Sequence, residues 1–335
     1  MLEAGKLDSE LLKELVFHKI TYRNDDVTVR PGIGEDCAVV NYGDYECIMS
    51  TDPITSAISD IGRLAIHITC NDIASNGVQP LGIMLAVMLP EGTTEDDVAH
   101  IMGQAAETAG ALSVEIIGGH TEITPAVKQP IIVSTAIGKA PAGSSQSGND
   151  MVPGDYIMMT KSVGLEGTGI IACDYEERLR EILTQEEIDT AKSFLDLVSV
   201  VPEGVAAGTV GTHGMHDITE GGILGAAWEM CQISERGAQI WKDKIPMEPV
   251  SGKICDYFQI NPLRLISSGS MVIIVPEDKK TAMEAAMKEA GVSCSIIGRI
   301  EEQSYGVRLL ETEGAAESEA VAPPSADEIY KVVGK

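Results

Sequence analysis

A helix with an acid at its unfavourable end sets the frame for this sequence. From Asp60 to Asn76, Ile61, Leu64, Ala65 and Ile68 recur at helical spacing, with Ile73 close to it, so the segment has one apolar face. Gly77 stands where a helix C-cap needs positive φ, and Pro80 prevents continuation. Asp72 therefore falls in or near the last turn, against the negative end of the helix dipole, at a cost of up to about 1 kcal/mol. A bound cation would offset that cost. For a lone aspartate, solvation or a cap to a neighbouring loop would explain it better, but Asp36 and Asp52 upstream are also oddly placed.

Asp36 follows Gly32-Ile33-Gly34-Glu35 and precedes an apolar run, Ala38-Val39-Val40, that reads as a strand. Taken alone, Glu35 and Asp36 would be turn formers. Cys37 occupies the position of the third glycine of a dinucleotide fingerprint, so a Rossmann reading fails, and no Walker A sequence is present. Cys47 to Thr51 reads as a strand closed by Asp52-Pro53. The three aspartates are 52 − 36 = 16 and 72 − 52 = 20 residues apart, on separate elements. Carboxylates from several elements suit a hard cation such as Mg²⁺, which leaves room in its shell for water and phosphate oxygens. Acids also gather at strand ends in proteins that bind no ion.

The balance of 24 basic against 51 acidic residues gives a net charge of −27, which argues against nucleic acid or an anionic membrane as partner. The 7 cysteines form no C-x-x-C pair, so neither a zinc site nor a disulfide framework is expected, and a reducing cytoplasm fits. Met1 to Glu14 is too charged for a signal peptide. The apolar runs Ile83–Leu89 and Met271–Val275 are too short to span a bilayer and read as buried strands.

Further along, Thr94 and Asp97 start a helix that runs to Gly110. Val114–Ile117 reads as a strand ending in Gly118-Gly119-His120-Thr121-Glu122, where paired glycines would let backbone N–H groups approach an anion. Gly143–Asp150, polar and rich in Gly and Ser, marks a domain boundary. Strand Tyr156–Thr160 leads through Lys161 to Gly164-Leu165-Glu166-Gly167-Thr168-Gly169, which opens a helix from Ile170. Its glycines would hold a phosphate or, equally well, permit tight packing. Glu186–Val200 reads as a helix, and Thr219 as the N-cap of another reaching Ile233. Glu311 to Ala326 reads as a mobile acidic linker. The expected domains are 1–142 and 151–311, with 312–335 as linker and tail.

The ordered set Gly32-Ile33-Gly34-Glu35-Asp36-Cys37-Ala38-Val39, Ser50-Thr51-Asp52, Asn71-Asp72-Ile73-Ala74-Ser75-Asn76-Gly77, Gly118-Gly119-His120-Thr121-Glu122, Met215-His216-Asp217-Ile218-Thr219-Glu220-Gly221-Gly222 and Ser267-Ser268-Gly269-Ser270 resembles the AIR synthase-related (PurM-like) superfamily. Its members include AIR synthase, HypE, selenophosphate synthetase and thiamine-monophosphate kinase, and HypE-like members look most similar. The resemblance implies an α+β, two-domain fold. The N-terminal domain would pair its strands with a second copy in a dimeric β-barrel, and the C-terminal domain would be an α/β sandwich. ATP and Mg²⁺ would lie between the domains. Asp36, Asp52 and Asp72 would be metal or phosphate-side ligands. Thr51, Asn71, Gly118, Gly119, Thr121 and Lys161 would contact nucleotide, and Asp217, Glu220 and His120 would serve the chemistry. The implied reaction activates a carbonyl or amide oxygen by phosphoryl transfer to an unidentified small-molecule or protein acceptor. The alternatives are a kinase similar to thiamine-monophosphate kinase and a non-catalytic ATP-binding accessory protein. Two departures bear on the choice. The chain ends Val333-Gly334-Lys335, with Cys294 its last cysteine, whereas HypE carries its substrate on a terminal cysteine. His120 stands where the kinase has Asp and AIR synthase has Glu.

Overall fold

The computed structural model describes residues 7, 9–55, 60–146, 148–324 and 326–332. The first part runs α1 (Ser9–Leu15), β1 (Val27–Val29), β2 (Ala38–Asn41), β3 (Tyr45–Ile54), α2 (Ile61–Ser75), β4 (Pro80–Leu89), α3 (Glu95–Ala111), β5 (Glu115–Ile123) and β6 (Ile131–Pro141). Its six strands form one sheet in the order β1-β2-β3-β6-β4-β5, in which only the β4–β5 pair is parallel. Residues alternate across this sheet, as a strand period of two requires. Ile48, Ile83, Leu85, Ile132 and Ala136 face inward, under α2 and α3. The other face carries Met84 at 42% exposure, with Ile117 and Ile123 also exposed.

The second part contains β7 (Tyr156–Thr160), α4 (Leu165–Asp174), α5 (Glu176–Leu179), α6 (Gln185–Ser193), α7 (Val201–Val210), β8 (Gly214–Asp217), α8 (Gly222–Ser234), β9 (Gly237–Trp241), α9 (Pro249–Phe258), β10 (Met271–Val275), α10 (Lys280–Glu289), β11 (Cys294–Glu301), β12 (Val307–Leu310) and β13 (Ser318–Ala320). Its seven strands are ordered β13-β12-β9-β11-β7-β10-β8. This sheet is covered on both faces, and β10 shows how. Val272 and Ile274 pack towards α8, while Met271, Ile273 and Val275 pack towards α7 and α10. A continuous apolar run is what such a doubly buried strand needs. The molecule is thus a two-domain α+β structure with two sheets.

Several elements depart from the sequence expectation. β3 continues through Asp52 and Pro53, pairing Pro53 with Val133 and Ile54 with Ile132 on β6. The β2 partner ends at Ala38 opposite Met49, so Pro53 lies beyond it, where a missing donor is tolerated. The Gly118-Gly119 pair is strand, not turn: β5 continues through it after a register shift at Ile117. A Cβ on Gly119 would lie 2.0 Å from the Leu85 carbonyl oxygen, so glycine is what lets β5 approach β4. α4 begins at Leu165, after Gly164 in the left-handed conformation. Gly167 and Gly169 lie inside α4, where a Cβ would come within 2.5 and 2.6 Å of Leu265 and Leu195, so those glycines serve packing. α7 has a proline near its start and two glycines, and the sequence reading overlooked it. The segment after Leu310 is docked rather than mobile. β13 pairs with β12, and Ile329 and Val332 join the helical core beside α4 and α9.

The joint between the parts is the crossing of α2 over α7. Cβ atoms on Gly204 and Gly208 would lie 2.4 Å from the Ala74 carbonyl oxygen and 2.3 Å from that of Gly77. Asn71, fully buried, donates from Nδ2 to the Val198 carbonyl and accepts at Oδ1 from the Val200 N–H, each at 2.8 Å. Gly204→Ala is expected to force these helices apart and cost about 1–3 kcal/mol in urea unfolding. Gly103→Ala, on α3 with open space around it, should be stabilising by about 0.5–1 kcal/mol. Equal effects at the two sites would refute the tight crossing.

Candidate active site

The period of two along β3 decides which of its side chains reach α2. Ser50 and Asp52 point inward and Thr51 outward, following the burial pattern of the strand. α2 lies on the inward face and ends at Ser75, with Asn76 as C-cap and Gly77 at φ +76°. Asp72, in its last turns, is 5% exposed and accepts from the Ser50 hydroxyl at 2.5 Å. The Cys37 thiol donates to the Asp72 backbone carbonyl at 3.3 Å, which ties the Asp36–Cys37 loop to the same helix end. Burial pushes the Asp72 carboxyl well above its ordinary range, and Asp217, Asp36 and Asp52 push in the same direction. Four aspartates, from the loop before β2, from β3, from the last turns of α2 and from the end of β8, therefore converge.

Asp217 ends β8, paired with Met271 of β10, and is 1% exposed. Its Oδ2 has no hydrogen-bond partner. Beside it, His216 is also buried, and its Nδ1 donates to the Asp217 backbone carbonyl at 2.7 Å. The same nitrogen lies 3.4 Å from Asp36 Oδ2, and Nε2 lies 3.5 Å from Glu229 Oε2 on α8. Burial alone would push the imidazole down, but Asp36, Asp217 and Glu229 more than reverse this and hold it well above its usual pKa. Asp36, His216 and Asp217 bring ligand-type atoms within 4.8 Å of one another. Nδ1 is occupied as a donor, and the acids around the ring favour its protonated form, so His216 can act as a counter-charge within the acid cluster. The carboxylates remain for an ion: an orphaned Asp217 oxygen and a strained Asp72 charge are what a divalent cation would satisfy. Composition pointed to neither His216 nor Glu229. The available signal was the adjacency of His216 to Asp217 and the helix face that begins at Gly222.

Other expected site residues lie elsewhere. Thr51 is on the opposite sheet face from Asp52, bonded to the Ser134 carbonyl at 3.0 Å and to Thr135 Oγ1 at 2.9 Å. Asn71 has both ends of its amide engaged in the joint with α7. Register places Asp52, Ser134, Leu85 and Gly119 in one row across the sheet. Three strand spacings put Gly119 about 14 Å from Asp52. Gly118, His120 and Thr121 share that outer strand, and the exposed His120 imidazole meets only Glu122, at 3.4 Å, among the described residues. Glu220 faces the chain's end, accepting from Tyr330 Oη at 3.0 Å. Lys161 is spent in a buried pair with Glu203 at 2.5 Å and in bonds to the Ser199 and Gly269 carbonyls. Within this chain, then, Asp36, Asp52, Asp72 and Asp217 come together, and Thr51, Asn71, Gly118, Gly119, His120, Thr121, Lys161 and Glu220 do not join them.

Comparison with known proteins follows this division into two parts. The model of the AIR synthase related protein N-terminal domain matches residues 34–140, and that of the C-terminal domain matches residues 152–310. A putative hydrogenase expression/formation protein of Methanocaldococcus jannaschii is 30% identical over 324 residues, covering 92% of this chain and 91% of its own. The carbamoyl dehydratase HypE of Rhizobium leguminosarum is 30% identical over 323 residues, covering 92% and 88%. Among solved structures, one from a HypE–HypF complex superposes with a TM-score of 0.76 at 25% identity, covering 93% of this chain and 99% of that one. ThiL with AMPPCP and TMP superposes with a TM-score of 0.72 at 17% identity, covering 94% and 99%, a likeness of fold.

The cluster makes a signed prediction for stability. The Asp72 carboxyl is raised from 3.8, so its proton stabilises the fold at low pH, and that contribution is lost as pH rises through the folded value. The His216 imidazolium contributes fully below 6.5 and loses its contribution as pH climbs through its raised value. Both terms have the same sign. The melting temperature of the metal-free protein should fall as pH rises from 3.8 through the raised Asp72 value and, above 6.5, through the raised His216 value. Millimolar Mg²⁺ should restore it at the upper end, and Asp72→Asn should flatten the slope. A melting temperature indifferent to Mg²⁺ and unchanged in slope by the substitution would contradict the cluster.

Proposed function

The chain belongs to the AIR synthase related family, and on that premise we propose that it is an ATP- and Mg²⁺-dependent enzyme of the HypE and AIR synthase kind. It transfers the terminal phosphoryl group of ATP to a carboxamide or similar carbonyl oxygen, so that the oxygen can leave. The observation that carries this reading is the convergence of Asp36, Asp52 and Asp217 on the buried Asp72. Relatives named carbamoyl dehydratase HypE, and a fold neighbour described as HypE in complex with ATP, point the same way.

In this reading Asp36, Asp52, Asp72 and Asp217 hold Mg²⁺ and, through it, the phosphates. A divalent ion there cancels phosphate charge as phosphorus changes partner. The chain's own contribution is positioning. The α2–α7 crossing fixes the distance between the first-domain aspartates and Asp217. His216 keeps Asp36 turned towards Asp217. The buried walls exclude bulk water. Hydrogenase maturation, named in the relatives, is the process proposed for the product.

A homodimer belongs to the same proposal. The open face of the first sheet, with Met84, Ile117 and Ile123 exposed, is an apolar surface that a second copy would cover by strand pairing. His120 and the glycines of β5 lie on this outer part of the sheet, so dimerisation is the route by which they would approach a nucleotide. Met84→Glu should convert a dimer to a monomer in size-exclusion chromatography with light scattering; a wild-type monomer would overturn the dimer reading.

Calorimetry tests the nucleotide site. Asp72→Asn and Asp217→Asn should each weaken Mg²⁺·ATP binding at least about tenfold, the loss of one charge-assisted contact of about 1.4 kcal/mol or more. Asn71→Ala should leave the affinity near wild type while lowering stability by about 2–4 kcal/mol, since two buried backbone groups lose their partners. Unchanged affinity in both aspartate variants would sink the proposal. Tight binding with no ADP formed in the presence of carboxamides would move it to a non-catalytic nucleotide-binding protein.

A further inference from the structure

Beside the aspartates lies a buried acid to which the reading above gives no work. Glu166, in the first turn of α4, is 6% exposed. Gly164 precedes the helix in the left-handed conformation and turns the chain against the Ser267–Ser270 segment. Its N–H donates to Ser267 Oγ at 2.9 Å. Ser267 and Ser270 in turn donate to the Ser162 carbonyl at 3.3 and 2.6 Å, so the turn and the helix start are pinned together. The Glu166 carboxylate faces Ser268 in this arrangement. Ser268 interacts with the carboxylate through its backbone and its hydroxyl, yet Glu166 Oε2 and Ser268 Oγ, both buried, have no partner of full hydrogen-bond geometry.

Strand pairing says where this pair sits. Asp217 is directly opposite Met271, the residue after Ser270. The Ser267–Ser270 turn therefore lies just beyond the strand ends that present Asp217. Asp217 and Asp327 are both close enough to act electrostatically on Glu166. Burial is the main reason its carboxyl is pushed up to about 7, with Ser268 pulling the other way. A buried acceptor left unpaired costs on the order of 1–3 kcal/mol, so native proteins seldom keep one without a use. Here an acid oxygen and a hydroxyl stand together near Asp217, neither held in a full hydrogen bond.

We propose that Glu166 is the proton acceptor of the phosphoryl-transfer reaction and that Ser268 orients the acceptor molecule beside it. This rests on the reading of the protein as an ATP-dependent activator of a carboxamide. The balance is simple. The carboxamide oxygen forms a bond to the terminal phosphorus of the nucleoside triphosphate, and the bond from that phosphorus to the diphosphate oxygen breaks. A carboxamide N–H bond breaks in the same step, and its proton passes to Glu166 Oε2. The products are an O-phosphorylated imidate, the nucleoside diphosphate and a protonated Glu166, which releases its proton to solvent between turnovers. An acid that titrates near the working pH suits both halves of this cycle.

The test uses the full chain with Mg²⁺·ATP, and with acetamide as the carboxamide probe. Calorimetry in buffers of different ionisation enthalpy counts the protons exchanged when Mg²⁺·ATP binds near pH 7, and ADP release is followed from pH 5.5 to 9. Glu166→Gln should bind Mg²⁺·ATP within threefold of wild type, exchange fewer protons than wild type, the remainder belonging to Asp72, and form ADP at least 100-fold more slowly, with the acid limb of the pH profile gone. Glu166→Asp should keep that limb with a smaller loss. Ser268→Ala should raise the KM for acetamide more than it lowers kcat. Proton exchange in Glu166→Gln equal to wild type overturns the assignment, whether or not acetamide is turned over. Should Glu166→Gln fail to fold, Ser268→Ala with an unchanged KM and an unchanged pH profile overturns it. A wild-type protein that does not bind Mg²⁺·ATP fails the parent reading instead, and the assignment falls with it.

Discussion

Repulsion among carboxylates around Asp72 is the constraint that the rest of the structure serves. Four aspartates approach one another in a pocket where Asp72 is 5% exposed and Asp217 1% exposed. Such a cluster cannot stay fully ionised without a counter-charge. Within the chain, His216 supplies one positive charge, wedged between Asp36 and Glu229. The remaining excess is what the proposed cation would balance. The surrounding fold consists of devices that keep these acids close in spite of themselves: the Ser50 bond to Asp72, the Cys37 bond to the same helix end, and the glycine-lined crossing of α2 and α7.

Much of this was legible in the residues because helix punctuation is local. The apolar spacing before Asp72, then Gly77 and Pro80, placed the acid in the last turns without any tertiary knowledge. The capping box of Thr94 and Asp97 was equally readable and starts α3. What could not be read was the consequence of register. Thr51 and Asp52 are neighbours in sequence, yet a strand period of two sends them to opposite faces. Asn71 and Asp72 are neighbours too, but a helical rotation of about 100° turns one into the α7 joint and the other into the acid cluster. Adjacency in a motif therefore did not imply a shared role.

Glycines were ambiguous for a related reason. A glycine-rich stretch is compatible with an anion cradle and with close packing, and only the neighbouring backbone distinguishes the two. At Gly119, Gly167 and Gly169 any Cβ would meet Leu85, Leu265 or Leu195, so all three positions are closely packed. Composition misled at the chain's end as well. The acidic segment after Leu310 is poor in apolar residues, but Val321, Ile329 and Val332 suffice to dock it. Asp327 accepts from the Gly221 N–H at 2.8 Å, so this segment braces the loop that follows Asp217. Distant parts of the chain thus converge on the loop that follows Asp217.

The most direct measurement of the central claim is electron–nuclear double resonance on Mn²⁺ and ATP bound to protein carrying ¹³C-carboxyl aspartate. The account predicts carbon couplings at directly coordinated strength that weaken in Asp72→Asn and Asp217→Asn. A bound Mn²⁺ whose spectrum shows only nucleotide phosphorus and water, with no aspartate carbon in its first shell, would contradict it.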